Sequence, residues 1–234
     1  DEEYLQELKS PIYYAVQKDI DIRTGGPTLI DFDMQRISQR INIILNIRTE
    51  GDIKKEDLLP PIIELSGACG HFNISEACLD TTRLYRMVHQ AQPDEFTQTG
   101  ENTYRCVVHF HTLGVIPSAA KGHLNGPGIL QVALQVSANR LDASGAPVLD
   151  QDGKPVKNSR YIYGAINPYD ELTAAQLIEV RDGKTYLRYS KDDVNIEITS
   201  PLVIKADQIV SDDTGMGWQP NDPTNPDDDI IIEI

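Results

Sequence analysis

The chain ends on Ile230-Ile231-Ile232-Glu233-Ile234, directly after the tether Asn221-Asp222-Pro223-Thr224-Asn225-Pro226-Asp227-Asp228-Asp229. β-branched side chains are stiff at χ1 and favour a pleated backbone. An unpaired run of them is adhesive, so a fold that keeps this ending must place it in a sheet. That sheet is either the chain's own or a neighbour's, as in strand-donating assembly. Two prolines keep residues 221–229 out of any ladder, and three consecutive aspartates hold them extended in water. Ile230, Ile231, Ile232 and Ile234 are therefore the candidate assembly strand.

The rest of the chain also reads as β. Arg40-Ile41-Asn42-Ile43-Ile44-Leu45-Asn46-Ile47-Arg48 alternates, which puts Ile41, Ile43, Leu45 and Ile47 on one face. A helical reading through Ile37, Ile41, Ile44 and Leu45 exists, but the β-branched content favours a strand. Further strands are expected at residues 61–65, ending at Ser66-Gly67, and at 83–89, 103–113 and 128–138. The last of these, nearly all apolar from Ile129 to Val136, reads as a central strand. Asp142-Ala143-Ser144-Gly145 and Asp150-Gln151-Asp152-Gly153 are turn signals, followed by an extended run at 160–164. Asn167-Pro168-Tyr169-Asp170 starts the one helix, over 171–178, and strands are expected at 184–189, 194–198 and 202–206. Residues 2–8 suggest a helical turn and 13–22 an extended segment. Many short strands and one helix imply a mainly β, antiparallel sandwich. The expected core sets Ile41, Ile43, Leu45 and Ile47 against Val132, Leu134 and Val136.

With 234 residues, the chain can bury a core without disulfide or metal staples. Its 36 acidic against 21 basic residues, a formal charge of −15, repel phosphate backbones and anionic lipid, which argues against nucleic acid as a partner. No segment reaches the ~20 apolar residues of a membrane-spanning helix. The chain opens on Asp1 rather than Met, as a matured or trimmed chain does, so an export signal can have been removed.

Few residues point to chemistry. Cys69, Cys78 and Cys106 are an odd number without metal spacing; buried thiols are expected, with a Cys69–Cys78 bridge as the alternative. His109 and His111 share a strand face, a spacing zinc accepts, but a third ligand is not placed by the sequence. A calcium loop counted from Asp150 would need glycine at its sixth position and glutamate at its twelfth; Pro155 and Tyr161 stand there. No nucleophile elbow, phosphate loop or dinucleotide fingerprint occurs, so the expectation is a non-catalytic protein without cofactors. Trp218, between Gly217 and Gln219-Pro220, is the candidate for ligand stacking, with Tyr161 and Tyr163 next; a core-closing role is the bland alternative. Asn73-Ile74-Ser75 fits a glycosylation sequon, meaningful in a eukaryotic secretory context.

Several stretches together resemble the fimbrillin-type pilus subunits of Bacteroides-like bacteria. Asp33-Met34-Gln35-Arg36-Ile37-Ser38-Gln39-Arg40-Ile41-Asn42-Ile43 resembles the strand that opens their second domain, and Ile63-Glu64-Leu65-Ser66-Gly67-Ala68-Cys69-Gly70 the segment after it. His111-Thr112-Leu113-Gly114-Val115-Ile116-Pro117-Ser118 is similar to an element of the minor, anchor- or tip-type subunits. The ending in Trp218, an acidic tether and a terminal strand fits as well.

The resemblance covers roughly residues 29–234. It implies a transthyretin-like β-sandwich in an exported protein of the cell surface, at the outer membrane, in a fibre of lipoprotein-derived subunits. On that reading residues 1–28 are a remnant of an N-terminal domain or a linker, 29–220 the sandwich, and 221–234 the tether and terminal strand. The implied partners are other fimbrial subunits, and a host protein or glycan. A surface glycan-binding lipoprotein module using Trp218 and the paired tyrosines is the alternative.

Overall fold

A computed structural model of the chain describes residues 4–22, 24–51, 53–140, 142–188, 193–198, 201–205 and 231–233. The strands are β1 Tyr13–Tyr14, β2 Gln35–Arg36, β3 Gln39–Glu50, β4 Ile62–Asn73, β5 Cys78–Gln90, β6 Phe96–Gly100 and β7 Thr103–Thr112. They continue with β8 Leu130–Asn139, β9 Lys157–Ile166, β10 Ile178–Arg181, β11 Lys184–Leu187, β12 Val194–Glu197, β13 Leu202–Lys205 and β14 Ile231–Glu233. Among the described residues a single α-helix, α1 Tyr169–Ala175, lies between β9 and β10.

Seven strands form one sheet in the order β10-β11-β5-β4-β8-β9-β14. The second sheet runs β12-β3-β7-β6, and β13 joins β3 on the same edge as β12. The interior pairings are antiparallel; β12, β13 and β14 lie parallel to their neighbours at the margins. The fold is thus the mainly β sandwich with one short helix that the sequence implied. β8, flanked by β4 and β9, is central.

Alternation explains how the two sheets meet. Ile41, Ile43, Leu45 and Ile47 on β3 are at most 2% exposed. They share one cluster with Val132, Leu134 and Val136 of β8 and with Tyr104, Cys106, Val108 and Phe110 of β7. The core expected from the pattern is the one observed. A smaller cluster of Ile37, Cys69, Leu79, Leu113 and Leu187 fills the other end.

The structure departs from the sequence reading where glycine or tertiary contacts change the local rule. The strand expected to stop at Ser66-Gly67 runs on to Asn73. Gly67 takes φ +83° and the register slips between Ser66 and Ala68, so the glycine makes a bulge rather than an end. A Cβ there would stand 2.7 Å from the Gly128 nitrogen and the Ile116 oxygen. The helix expected to reach Ile178 stops at Ala175, where Gln176 adopts a left-handed conformation, φ 50° and ψ 43°, and Ile178 starts β10. Residues 4–8 are not helical: Tyr4 bridges Arg86 and the Leu5 amide donates to the Arg86 carbonyl. β6 was not foreseen, because Thr97-Gln98-Thr99-Gly100 offers no apolar alternation; pairing with β7 makes it a strand.

The N-terminal segment straps both sheets. Leu5 packs on the large cluster, while Leu8 and Tyr14 pack on the small one. The chain then leaves the sandwich after β1 and returns at β2. Between them lie exposed Val16, Ile20, Ile22, Leu29, Phe32 and Met34, with Ile22 75% and Leu29 86% exposed.

Ile43→Ala is expected to destabilise the chain by ~2–5 kcal/mol, because it removes methylenes from a fully buried site. Chemical denaturation followed by tryptophan-independent circular dichroism checks this; an unchanged midpoint would contradict the burial of that face.

Candidate functional site

Of the terminal strand expected over 230–234, residues 231–233 are described, and they form β14 in a sheet of the same chain. β14 lies parallel to β9, with Ile231 opposite Tyr163, Ile232 opposite Gly164 and Glu233 opposite Ala165. Its three residues form the margin of the seven-stranded sheet, next to a strand that spans ten residues. Inside that margin Gly164 has no Cβ because Leu202 of the opposite sheet crowds it: an added Cβ would be 3.2 Å from Leu202 Cδ1. Ile230, Ile234, the tether 221–229 and Trp218 lie outside the described residues. Tyr161 and Tyr163, on β9, stack with ring centroids 6.2 Å apart and planes 25° apart, and Tyr161 is 37% exposed.

The two histidines singled out for their spacing have separate tasks. His111 is buried. Its Nδ1 lies 2.8 Å from the Leu8 carbonyl and its Nε2 2.9 Å from Ser38 Oγ. A carbonyl only accepts, so Nδ1 carries the proton and Nε2 accepts from the Ser38 hydroxyl. Ser38 Oγ in turn accepts the Ile12 amide at 3.0 Å, and the Leu8 amide donates to the His111 carbonyl at 2.9 Å. Burial, and then the nearby Arg36 and Arg40 charges, lower the His111 pKa, which keeps the ring neutral as this network requires. One ring nitrogen is thereby committed to the N-terminal strap at Leu8 and the other to Ser38, whose hydroxyl oxygen also accepts the strap's Ile12 amide.

His109 instead faces Glu95. Its Nδ1 is 3.6 Å from Glu95 Oε1, while His89 Nε2 is 2.8 Å from Glu95 Oε2. The two imidazoles are 5.4 Å apart. Glu95 Oε2 also accepts the Gln92 amide at 2.8 Å, and the Glu95 carbonyl accepts the Val107 amide at 2.9 Å. Glu95 thus fastens the turn through which β5 in one sheet passes to β6 in the other. Sequence reasoning missed this group; the only local signal was an acidic residue three places after Gln92, the spacing of a self-capping turn. Among the described residues, no trio of His, Cys, Asp or Glu has the disposition to hold a metal ion.

The other marked residues are structural. Cys69, Cys78 and Cys106 are buried free thiols, and burial pushes Cys69 and Cys106 up to about 12, far from thiolate reactivity. Asp142 Oδ1 caps the amides of Ser144 and Ala146, and Asp150 Oδ1 those of Asp152 and Lys154. These carboxylates close their own turns, which is what the failed calcium pattern foretold. Asn73 Oδ1 accepts from the Ser75 amide at 3.1 Å and the Glu76 amide at 3.2 Å in the same manner.

No protein-family model matches the chain, and no curated protein matches it. Among solved structures it is similar to a proposed adhesin from Bacteroides ovatus, with 7% identity and a TM-score of 0.41. The alignment covers 86% of this chain and 59% of that one. A likeness of this degree carries no argument about function.

Burial by itself would raise the Glu95 pKa; the Gln92 amide, then the hydrogen bond and charge of His89 and the charge of His109, together bring it below the ordinary value of 4.5. A carboxylate held lower in the folded state adds stability that is present above the unfolded value and lost as pH falls through the folded one. Glu95→Gln should therefore cost ~1–2 kcal/mol at pH 7, with the difference from the unmodified chain shrinking as pH falls below about 4.5. Thermal unfolding across pH 3–7 measures it (the range is roughly that of carboxylate titration); a pH-independent difference would show that Glu95 acts only by packing.

Proposed function

We propose that the chain is a structural, non-catalytic subunit or adhesin of a bacterial cell-surface fimbria, assembling by β-strand pairing. The observation that carries this reading is β14. It is a three-residue parallel strand on the margin of a sheet whose interior ladders are antiparallel and long. Parallel pairing is slightly weaker per residue, and a marginal strand buries one flank only. Such a strand can leave β9 and pair with the same margin of a neighbouring subunit at little cost, the exchange by which identical elements link protomers.

The exposed apolar side chains between β1 and β2 support the same reading, since apolar surface left in water marks a place where partners meet. The acidic surface, with a formal charge of −15, keeps unassembled subunits soluble. On this reading the protein is exported, resides on the outer membrane as part of a fimbrium, and derives from a lipoprotein precursor. Its partners are other fimbrial subunits and, at the adhesive end, a host protein or glycan. A second reading, a glycan-binding surface lipoprotein, is favoured by the stacked Tyr161 and Tyr163 on an outward face.

Deleting residues 230–234 separates the reading from its rival. Assembly with a second subunit, followed by analytical ultracentrifugation, should be abolished, while the melting midpoint of the monomer shifts by no more than a few degrees. A large fall in the midpoint with assembly intact would overturn the proposal and leave β14 as an element that merely completes its own sheet.

A further inference from the structure

Hydrogen bonds, more than burial, hold the N-terminal strap to the sandwich. Between Leu8 and Tyr14 every residue of it is exposed. Leu8 rests on the small apolar cluster, and its amide donates to the His111 carbonyl at 2.9 Å. Its own carbonyl accepts from His111 Nδ1 at 2.8 Å. Ile12 is tied twice: its amide donates to Ser38 Oγ at 3.0 Å, and its carbonyl accepts the Ile37 amide at 2.9 Å. The Ser38 hydroxyl in turn donates to His111 Nε2 at 2.9 Å. Every donor in this chain of bonds has an acceptor only while the ring is neutral, because Nε2 then offers a lone pair.

An added proton has one place to go, Nε2. There it turns an acceptor into a donor aimed at the Ser38 oxygen, whose own proton must swing away. Ser38 Oγ makes no other hydrogen bond among the described residues, so the displaced proton is left without an acceptor. The new charge sits on a residue that is 7% exposed. It faces Arg40, its cross-strand neighbour on β3, and Arg36 of β2, with Glu7 of the strap opposing them. Asp193 lies 3.8 Å from Arg40, and His109, two residues along β7, is engaged with Glu95. A segment with so little apolar cover belongs to the low end of local stability, so the conflict is relieved by the strap leaving rather than by the sandwich opening.

We propose that His111 is a proton-operated latch: neutral, it holds residues 8–12 against β7, and protonated, it releases them and uncovers the small apolar cluster beneath Leu8. The electrostatics act in the same sense. Burial first, and then the charges of Arg36 and Arg40, hold the ring below its ordinary pKa of 6.5, against the opposing pull of the Leu8 carbonyl and Glu7. With the strap open, the ring meets water and titrates near that ordinary value. The closed state is therefore fully stabilised above it, and loses that stability as pH falls from there through the folded value. The latch is remote from β14 and does not rest on the assembly reading.

Amide hydrogen exchange on the full chain, corrected for the intrinsic pH dependence, tests it at pH 7.5 and 5.5 (values on either side of ordinary histidine titration, roughly 6.5). The Leu8, Ile12 and Ile37 amides should lose protection several-fold at the lower pH, with about tenfold as the ceiling for a site that titrates near 6.5 when open. The amides of Ile43 and Val108, inside the sandwich, should be unchanged. In His111→Gln the strap's protection should no longer differ between the two pH values, whereas His109→Gln should keep the difference. Equal strap protection at both pH values in the unmodified chain overturns the proposal, whether or not the variants fold. So does a loss shared equally by Ile43 and Val108, which is acid unfolding of the whole sandwich, or a pH dependence that survives in His111→Gln. Nitrogen NMR at pH 7.5 that places the ring proton on Nε2 rather than Nδ1 would overturn it as well.

Discussion

The inward row of β3 is the interaction on which this molecule depends. Ile41, Ile43, Leu45 and Ile47 stand at a two-residue spacing on a strand paired with β7 along one side and with β12 and β13 along the other. Their burial against β8 closes the two sheets over a single interior. Hydrophobic burial has no direction of its own; the pleat supplies it by sending alternate side chains to opposite faces. Once that face is fixed, a slip of one residue would carry all four into water, so the register of β3 follows. The outward residues Arg40, Asn42 and Arg48 then meet solvent or polar neighbours, as in the Asn42–Asn195 hydrogen bond at 2.9 Å.

A sandwich closed in this way still needs its crossings fastened, and here the polar residues act. Glu95, between His89 and His109, holds the passage from one sheet to the other. His111, neutral and fully bonded, ties the N-terminal strap to β7 and, through Ser38, to the segment that enters β3. Two histidines at a metal-like spacing thus serve two separate fastenings. Identity and spacing gave the opportunity for a ligand pair; what each ring faces from other elements removed it.

The features proposed for function sit on different parts of this frame. β14 belongs to the margin of the seven-stranded sheet, whereas the His111 latch lies where the strap meets the end of β7. Thr49 and Tyr104 continue the inward rows of β3 and β7 and stay buried, Tyr104 with its ring stacked on Phe96 at 5.6 Å.

The alternating residues of β3, the apolar run of β8 and the β-branched ending each declared a strand from local chemistry, because the two-residue period and stiff χ1 are properties of neighbouring residues. The turn at Asp150 was equally legible, since an aspartate caps amides two and four residues on without help from elsewhere. Tertiary structure decided what depends on distant partners. Gly67 could signal a stop or a bulge, and the close approach of Gly128 and Ile116 made it a bulge. Ile178 could extend a helix or begin a strand, and pairing with Leu187 made it a strand. Leu8 and Ser38 carry no motif at all; their convergence on His111 exists only because segments 103 and 73 residues away along the chain meet it there. Sequence determines which residues prefer a pleat, because that preference is local, whereas a site assembled from remote segments is fixed only when the chain closes on itself.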